Sequence, residues 1–288
     1  MTAPTMRPTL PQPRLALRLA TLALTAALAG CSAFEDAPDP IEDLSAREIF
    51  TRAEAQLEDG APIQAAQTFN EIERLYPFSQ FAKRAIIMSA FSSYEAGRYA
   101  DARASARRYV DLYPSDEDAA YAQYLVALTY YDTIADVERD QELTQRALNE
   151  LNEVAVRYPA SEFARDAALK RDLTRDHLAG KEMAIGRYYL KRGHYVSAIG
   201  RFRRVVEQYN TTSQTPEALH RLVEANLALG LEREALAAAA VLGNNFPGSD
   251  WYLDSYELVT GRDLIPDDED PGGFFTRIYR QVIQGKWL

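Results

Sequence analysis

Cysteine is nearly missing from this chain: Cys31 is the only one among 288 residues, so no intramolecular disulfide can staple the fold. Histidine is almost as scarce. His177, His194 and His220 are too scattered to suggest a metal site, and we expect neither a metal nor a cofactor. Positive charge is in deficit, with 32 basic residues against 42 acidic ones and a net charge of −10. Arg7, Arg14 and Arg18 are the only charges in residues 1–30, which leaves 42 acids against 29 bases in the rest. Phosphate contacts need clustered Lys and Arg, so this balance argues against a nucleic-acid partner. The apolar run at residues 19–29 has 11 members, too few to span ~30 Å of hydrocarbon, which takes about 20. No phosphate loop, Gly-x-Ser-x-Gly elbow or His-Glu-x-x-His helix occurs, and no carboxylate pair stands out. We therefore expect no catalytic residues and no enzyme. What is present is 47% apolar residues, 17 Tyr and abundant Ala. That mixture suits packed helices with aromatic anchors.

Residues 1–18 carry three Arg and no acid, and the apolar run that follows fits the core of a secretory signal. The run ends in Leu28-Ala29-Gly30-Cys31, which resembles a bacterial lipobox. The resemblance implies cleavage before Cys31 and acylation of that residue, with small Ala29 and Gly30 giving a peptidase access to the bond. A plain signal peptide with a chance cysteine is the alternative. Each buried CH₂ adds ~0.8 kcal/mol, and two or more acyl chains make the anchor lasting. Ser32 stands where similar lipoproteins kept in the inner membrane carry Asp, so the resemblance implies an outer-membrane anchor facing the periplasm. Residues 1–30 then form the signal peptide and residues 31–44 an acidic, Pro-containing tether.

The remainder repeats itself. Arg74-Leu75-Tyr76-Pro77-Phe78-Ser79-Gln80-Phe81-Ala82 echoes Arg157-Tyr158-Pro159-Ala160-Ser161-Glu162-Phe163-Ala164. Related turns follow at Tyr113-Pro114, Tyr209-Asn210 and Phe246-Pro247. A glycine lies 17 residues before four of the five second turn positions, at Gly60, Gly97, Gly193 and Gly230; Glu142 holds that place in the third unit. Alanine always sits five residues later: Ala65, Ala102, Ala147, Ala198 and Ala235. Nine residues after the glycine place come Phe69, Ala106, Leu151, Phe202 and Ala239, and twelve after it come Ile72, Tyr109, Val154, Val205 and Leu242. Glycine ends one helix by adopting a left-handed conformation. The three later columns share one face of a second helix by 3.6-residue periodicity, and the aromatic-proline pair stops that helix.

This pattern resembles the tetratricopeptide repeat, which implies an all-α solenoid of about five helix–turn–helix units over residues 45–260. The units are longer than the usual repeat, with an insertion at Asp132–Thr144 and a long helix around Ser161–Arg192. The lipobox and repeats together resemble the BamD family of outer-membrane β-barrel assembly lipoproteins. The carrying residues are Arg74-Leu75-Tyr76-Pro77-Phe78, Tyr121-Ala-Gln-Tyr124, Asp136-Val-Glu-Arg-Asp140-Gln141, Arg157-Tyr158-Pro159-Ala160-Ser161-Glu162-Phe163 and Tyr188-Tyr189…Arg192-Gly193. The resemblance covers about residues 45–258. Asn210 departs from its pattern and puts one turn in doubt. The resemblance implies a scaffold with several partners: the POTRA domains of the barrel insertase, other lipoproteins of the assembly complex, unfolded outer-membrane proteins through their C-terminal signal, and the membrane through the lipid anchor. A periplasmic repeat lipoprotein coordinating envelope or peptidoglycan synthesis is the alternative.

In repeats of this type the first helix of each pair lines a groove. Phe50, Phe91, Tyr94, Tyr124 and Tyr131 then lie near one surface, with Ile87 beside them and Arg47, Arg84 and Arg98 close by in sequence. An aromatic groove with cations suits a peptide ending in an aromatic and a carboxylate; burial of these rings as interhelix core is the alternative. Arg201 and Arg204 share one side of the fourth unit's second helix. The family resemblance implies that they face a POTRA carboxylate, and a solvated basic face is the alternative. Residues 261–273 are a polar, breaker-rich linker. Residues 274–288 form an amphipathic helix, with its stripe at Phe274, Phe275, Ile278, Tyr279, Val282 and Ile283. It either caps the last repeat or serves a partner, and we expect it to matter more for assembly than for stability.

Overall fold

The computed structural model describes residues 40–265 and 270–283; the expected signal peptide, Cys31, most of the expected tether and the chain's last five residues lie outside them. The chain divides into two units at Ser45. Of the first, residues 40–45 are described, and they hold one 3₁₀ turn at Ile41–Asp43, where the Asp43 N–H donates to the Pro40 carbonyl at 3.1 Å.

The second unit is helical, with no strand among its described residues. Its helices come in pairs: α1 (Ala46–Glu58) with α2 (Pro62–Leu75), α3 (Ala82–Glu95) with α4 (Tyr99–Leu112), and α5 (Ala119–Tyr131) with α6 (Glu142–Arg157). Then come α7 (Glu162–Lys191) with α8 (Tyr195–Gln208) and α9 (Thr215–Ala228) with α10 (Glu232–Asn245), followed by α11 (Asp250–Thr260) and α12 (Pro271–Ile283). Each helix up to α10 packs on the next. Odd-numbered neighbours also touch across units, α1 with α3, α3 with α5, α5 with α7 and α9 with α11. We name the odd-numbered helices row A, and α2, α4, α6, α8 and α10 row B.

The repeat columns build the B row. All fifteen column residues, from Ala65, Phe69 and Ile72 to Ala235, Ala239 and Leu242, are fully buried at 0% exposure. Alanine in the first column lets the paired helices approach, and the larger residues fill the space between them. Gly60, Gly97, Gly193 and Gly230 have φ between 68° and 74°. There the N–H after each glycine reaches back across the helix end, as Ala61 to Gln56 (2.8 Å) and His194 to Tyr189 (3.0 Å). This 6→1 bond satisfies a carbonyl the helix leaves open.

Each B helix ends the same way. The N–H of Tyr76, Tyr113, Tyr158, Tyr209 or Phe246 bonds the carbonyl four residues back at 2.8–3.0 Å. The aromatic's own carbonyl accepts from the residue three places on, Ser79, Asp116, Ser161, Thr212 or Ser249, at 3.0–3.1 Å. Tyr209-Asn210 makes the same turn without proline, and the hydroxyls of Thr212 and Thr215 also donate to the Tyr209 carbonyl at 2.7 and 3.1 Å.

Two stretches depart from the repeat. The third unit replaces its glycine turn by Asp132–Gln141, which Gln141 closes by donating to the Asp136 and Arg139 carbonyls, both at 3.1 Å. Lys181 of α7 holds this insertion through the Glu138 carbonyl at 2.7 Å. Helix α7 is 30 residues long, about 45 Å at 1.5 Å per residue. Its Gly186 faces the Phe202 ring so closely that a Cβ there would lie 2.4 Å from it.

The tail differs from the sequence expectation in where it begins, and of the two alternatives for its apolar stripe it takes the cap. Helix α12 starts at Pro271, inside the expected linker. It buries Phe274, Phe275 and Ile278 in the core that also holds Ala235, Leu236 and Ala239 of α10. Phe275 meets Tyr252 and Tyr256 of α11 at 6.3 and 6.1 Å between ring centroids. The helix serves its own array as a cap, because an uncovered last pair would leave this apolar face in water.

Candidate functional site

The A row carries the polar chemistry, in three places. The first is at the start of the array. On α1, Arg47 and Phe50 are three residues apart and so share a face. The Phe50 ring is buried against Phe69 (5.2 Å) and Phe81 (5.5 Å). Arg47 lies 5.8 Å from the Phe81 ring centroid and Arg84 of α3 lies 5.6 Å from that of Phe50. Along α3, Arg84, Ile87, Met88 and Phe91 fall at i, i+3, i+4 and i+7. They line one wall of a cavity of about 630 Å³ whose far wall includes Glu117, Asp118 and Tyr121. Lys83 also lines it but is committed elsewhere. Its ammonium meets Asp116 at 2.6 Å, and Asp116 accepts in addition from the buried Tyr109 hydroxyl at 2.5 Å. Lys83 first, and then Tyr109, hold the Asp116 carboxyl down at about 2.

The second place is a chain of tyrosines along α3, α5 and α7. The Tyr94 hydroxyl donates to Asp132, and the Tyr124 hydroxyl to Asp166. Lys170 also bonds Asp166 at 2.8 Å, and its ammonium lies 5.6 Å from the Tyr131 ring centroid. Phe163 stacks on Tyr124 at 5.4 Å and meets Tyr121 at 5.2 Å. Burial, and then the carboxylate partners, push the Tyr94 and Tyr124 hydroxyls well above the ordinary tyrosine range. Lys170 and then Tyr124 lower Asp166. These hydroxyls stay protonated as donors, and all five aromatics remain half-buried rather than sealed in the core.

Arg98 does not join them. It follows the Gly97 turn and begins the next B helix, where its Nε pairs with Asp101 at 2.7 Å. It borders a separate cavity between α2 and α4, together with Asn70, Ser105 and Arg108. Arg201 and Arg204 lie side by side on α8, but neither is free. Both reach Glu182 of α7, at 3.0 and 2.8 Å, and that carboxylate is 12% exposed.

The third place escaped sequence reasoning. At the far end of the row, α9 and α11 enclose a cavity of about 670 Å³ bordered by His220, Trp251, Asp254 and Arg262. The buried His220 Nδ1 lies 2.8 Å from Ser255 Oγ, and its ring is 5.3 Å from Trp251. Arg221 lies over the same indole at 5.1 Å. Burial holds the His220 pKa below its ordinary value. Only the apolar stripe around Leu219 and Val223 could have flagged His220 as an inward position. Among the described residues no cluster of His, Cys, Asp and Glu is arranged to hold a metal ion, and no helix is long and apolar enough to cross a membrane.

Comparison with known proteins gives a consistent picture. The family YfiO, described as an outer membrane lipoprotein, matches residues 42–242. The outer membrane protein assembly factor BamD of Caulobacter vibrioides is 44% identical over 256 residues, covering 88% of this chain and 84% of that one. The protein of the same name from Rickettsia prowazekii is 38% identical over 240 residues, covering 83% and 95%. Among solved structures, a thermophilic TPR protein of Thermus thermophilus covers 77% of this chain at 18% identity and a TM-score of 0.35. That likeness leaves the fold to be argued from the helices themselves.

Proposed function

The chain belongs to the YfiO family of outer membrane lipoproteins, and from that membership we propose that it is a lipid-anchored scaffold of outer-membrane protein assembly. The observation that carries the reading is the extent of its match to proteins named assembly factor BamD, which reaches from the first repeats into the last. In this reading Cys31 is acylated after removal of residues 1–30, and residues 31–44 tether the array to the periplasmic side of the outer membrane. The A row of the first three units receives the C-terminal signal of unfolded outer-membrane proteins. Its half-buried rings, and tyrosine oxygens whose lone pairs can accept from a backbone N–H, suit an extended apolar peptide whose backbone must still be hydrogen-bonded. The later units hold the POTRA domains of the insertase. Arg201 and Arg204 serve there as a pair already oriented by Glu182, so a POTRA carboxylate would find guanidinium groups that need little reorganisation. The protein works by holding partners together and performs no bond chemistry.

Isolation of the mature protein from detergent-solubilised envelopes tests the reading. Co-isolation of a POTRA-bearing barrel is the expected result, and recovery of peptidoglycan synthases alone would overturn it. Cys31→Ala should leave a soluble or uncleaved form, whereas equal incorporation of a palmitate analogue into both variants would show that the anchor lies elsewhere.

A further inference from the structure

Helix α11 carries Asp250, Asp254 and Glu257 and no base, and it lies beyond residue 242, where the family match ends. Its faces are divided. Tyr252 and Tyr256 meet Phe275 of the cap, and Val259 is buried in the core. Trp251, Asp254, Leu258 and Gly261 fall at i, i+3, i+7 and i+10, one helical stripe, with Glu257 beside it. That stripe is one wall of the cavity shared with α9. The cavity offers acceptors that nothing in the fold uses. The Asp254 and Glu257 carboxylates are exposed and have no hydrogen bond or ion pair among the described residues. His220 is 4% exposed, and its Nδ1 is taken by Ser255 Oγ at 2.8 Å. Its Nε2 is left without a hydrogen bond; the Glu224 carboxylate lies 3.7 Å away, beyond bonding reach. Burial keeps the ring neutral, so with Nδ1–H donating to Ser255 the Nε2 lone pair stays open. The bases on the walls are already engaged. Arg221 meets Glu217 and Glu224 at 3.3 and 2.6 Å, and Arg262 donates to the Leu227 carbonyl at 3.2 Å.

We infer that this cavity receives an arginine side chain from a basic segment of a protein partner, held by Trp251, Asp254, Glu257 and His220 Nε2. A guanidinium has five N–H donors and no acceptor, the complement of two free carboxylates and an imidazole lone pair. Its flat face suits the half-buried Trp251 indole, over which Arg221 already lies at 5.1 Å. A lysine ammonium carries the charge but lacks that flat face, so it fits less well. The volume of about 670 Å³ leaves room for residues flanking the arginine. The site shares no residue with the aromatic surface of the first three units, so the inference stands apart from the reading of that surface as a peptide site. Asp254 and Glu257 are exposed, so replacing them leaves the core intact.

The chain has two tryptophans, Trp251 and Trp287, so Trp287→Phe makes the cavity's own indole the only fluorescent one. The test uses the full mature protein with that substitution and the peptide acetyl-Gly-Arg-Gly-Arg-Gly-amide. The same peptide with citrulline, the uncharged isostere, or with lysine in place of arginine serves for comparison. Affinity is read by calorimetry and location by Trp251 emission, at fixed ionic strength. The arginine peptide should shift that emission and bind about tenfold tighter than the citrulline peptide, the ratio expected for one charge-assisted contact. The lysine peptide should fall between them. The Asp254→Asn, Glu257→Gln double variant should bring the preference to about twofold or less, with unchanged circular dichroism. Equal binding of the arginine and citrulline peptides overturns the inference, and so does a preference that survives in the double variant. Lysine bound as tightly as arginine overturns the assignment of the guanidinium. Heat of binding without a change in Trp251 emission shows that the peptide sits elsewhere, and no binding up to about 1 mM shows that the cavity takes no arginine; either result overturns the site.

Discussion

The two rows of helices in this array are built from the same pairs but obey different rules. The B row repeats. Its three columns fall at the same offset in every unit, and every member is fully buried. The A row repeats in place but not in residue type: Phe50, Ile87, Tyr124 and His220 hold one place, ten residues before the turn glycine or ten after the second turn position, yet differ in burial, partners and charge. Each B helix is fixed by a start signal and a stop signal, so its inward positions are dictated by counting. Each A helix packs on its own partner while keeping one flank open, and the residue type at a shared place on that flank varies from unit to unit. Uniform residue type thus marks what holds the array together, and a change of type at a shared place marks where binding chemistry can be placed.

The sharpest way to break the comparison is to damage each row in turn. Phe202→Ala removes a fully buried B-row ring and should cost about 3–5 kcal/mol, read as a fall in the denaturation midpoint. Phe91→Ala on the A row should cost clearly less, since Phe91 is only half-buried. Equal losses would show that the two rows are energetically alike. Deleting residues 271–288 comes next. Because α12 buries Phe274, Phe275 and Ile278, the deletion should cost about 2–4 kcal/mol, with a clear drop in melting temperature. An unchanged melting temperature would return the helix to a partner.

A pH titration probes the joint between the rows, where Asp116 holds Lys83 of the A row and Tyr109 of the B row. The native carboxyl sits at about 2 against an ordinary 3.8. The unfolded chain therefore takes up the proton first, and stability falls as pH drops from 3.8 toward 2. Asp116→Asn should flatten the pH dependence in that window and cost about 1–3 kcal/mol at neutral pH, because the Tyr109 hydroxyl loses its charged acceptor. An unaltered profile in the variant would show that other carboxylates govern acid unfolding. The smallest effect is expected at Arg201→Ala. Arg204 still neutralises Glu182, so stability should change by about 0–1 kcal/mol. Loss of POTRA affinity beyond about tenfold would then report a direct contact, and a change within about twofold would leave the pair with Glu182 alone.

Much of the fold was legible because glycine, alanine and the aromatic-proline pair are backbone instructions whose effect is local. The long helix expected around Ser161–Arg192 runs from Glu162 to Lys191, with those two residues as its caps. The sites were less legible because they depend on which helices meet. Counting placed Arg98 beside the A-row aromatics, but the turn at Gly97 carries it to the B row. Phe81 and Phe163, which cover Phe50 and Tyr124, sit at helix starts where periodicity says nothing about contact. Asp132 and Asp166 become partners of tyrosines 38 and 42 residues away, a separation that no local pattern encodes. The tail's apolar stripe was readable, but its docking surface on α10 was not.

Packing between sequence neighbours also has a kinetic consequence. The helices pack on their next or next-but-one neighbours in the chain, and chains with such local topology fold fast, because little chain entropy is lost before each contact forms. A pair such as α1 and α2 can bury Phe69 and Ile72 before the later units have taken shape. Helix α12 is the exception. Its seat does not exist until α10 and α11 are in place, and it must cross the stretch from Gly261 to Asp270 to reach it. Docking of Phe274 and Phe275 therefore follows the folding of α10 and α11, and its reversal precedes their unfolding.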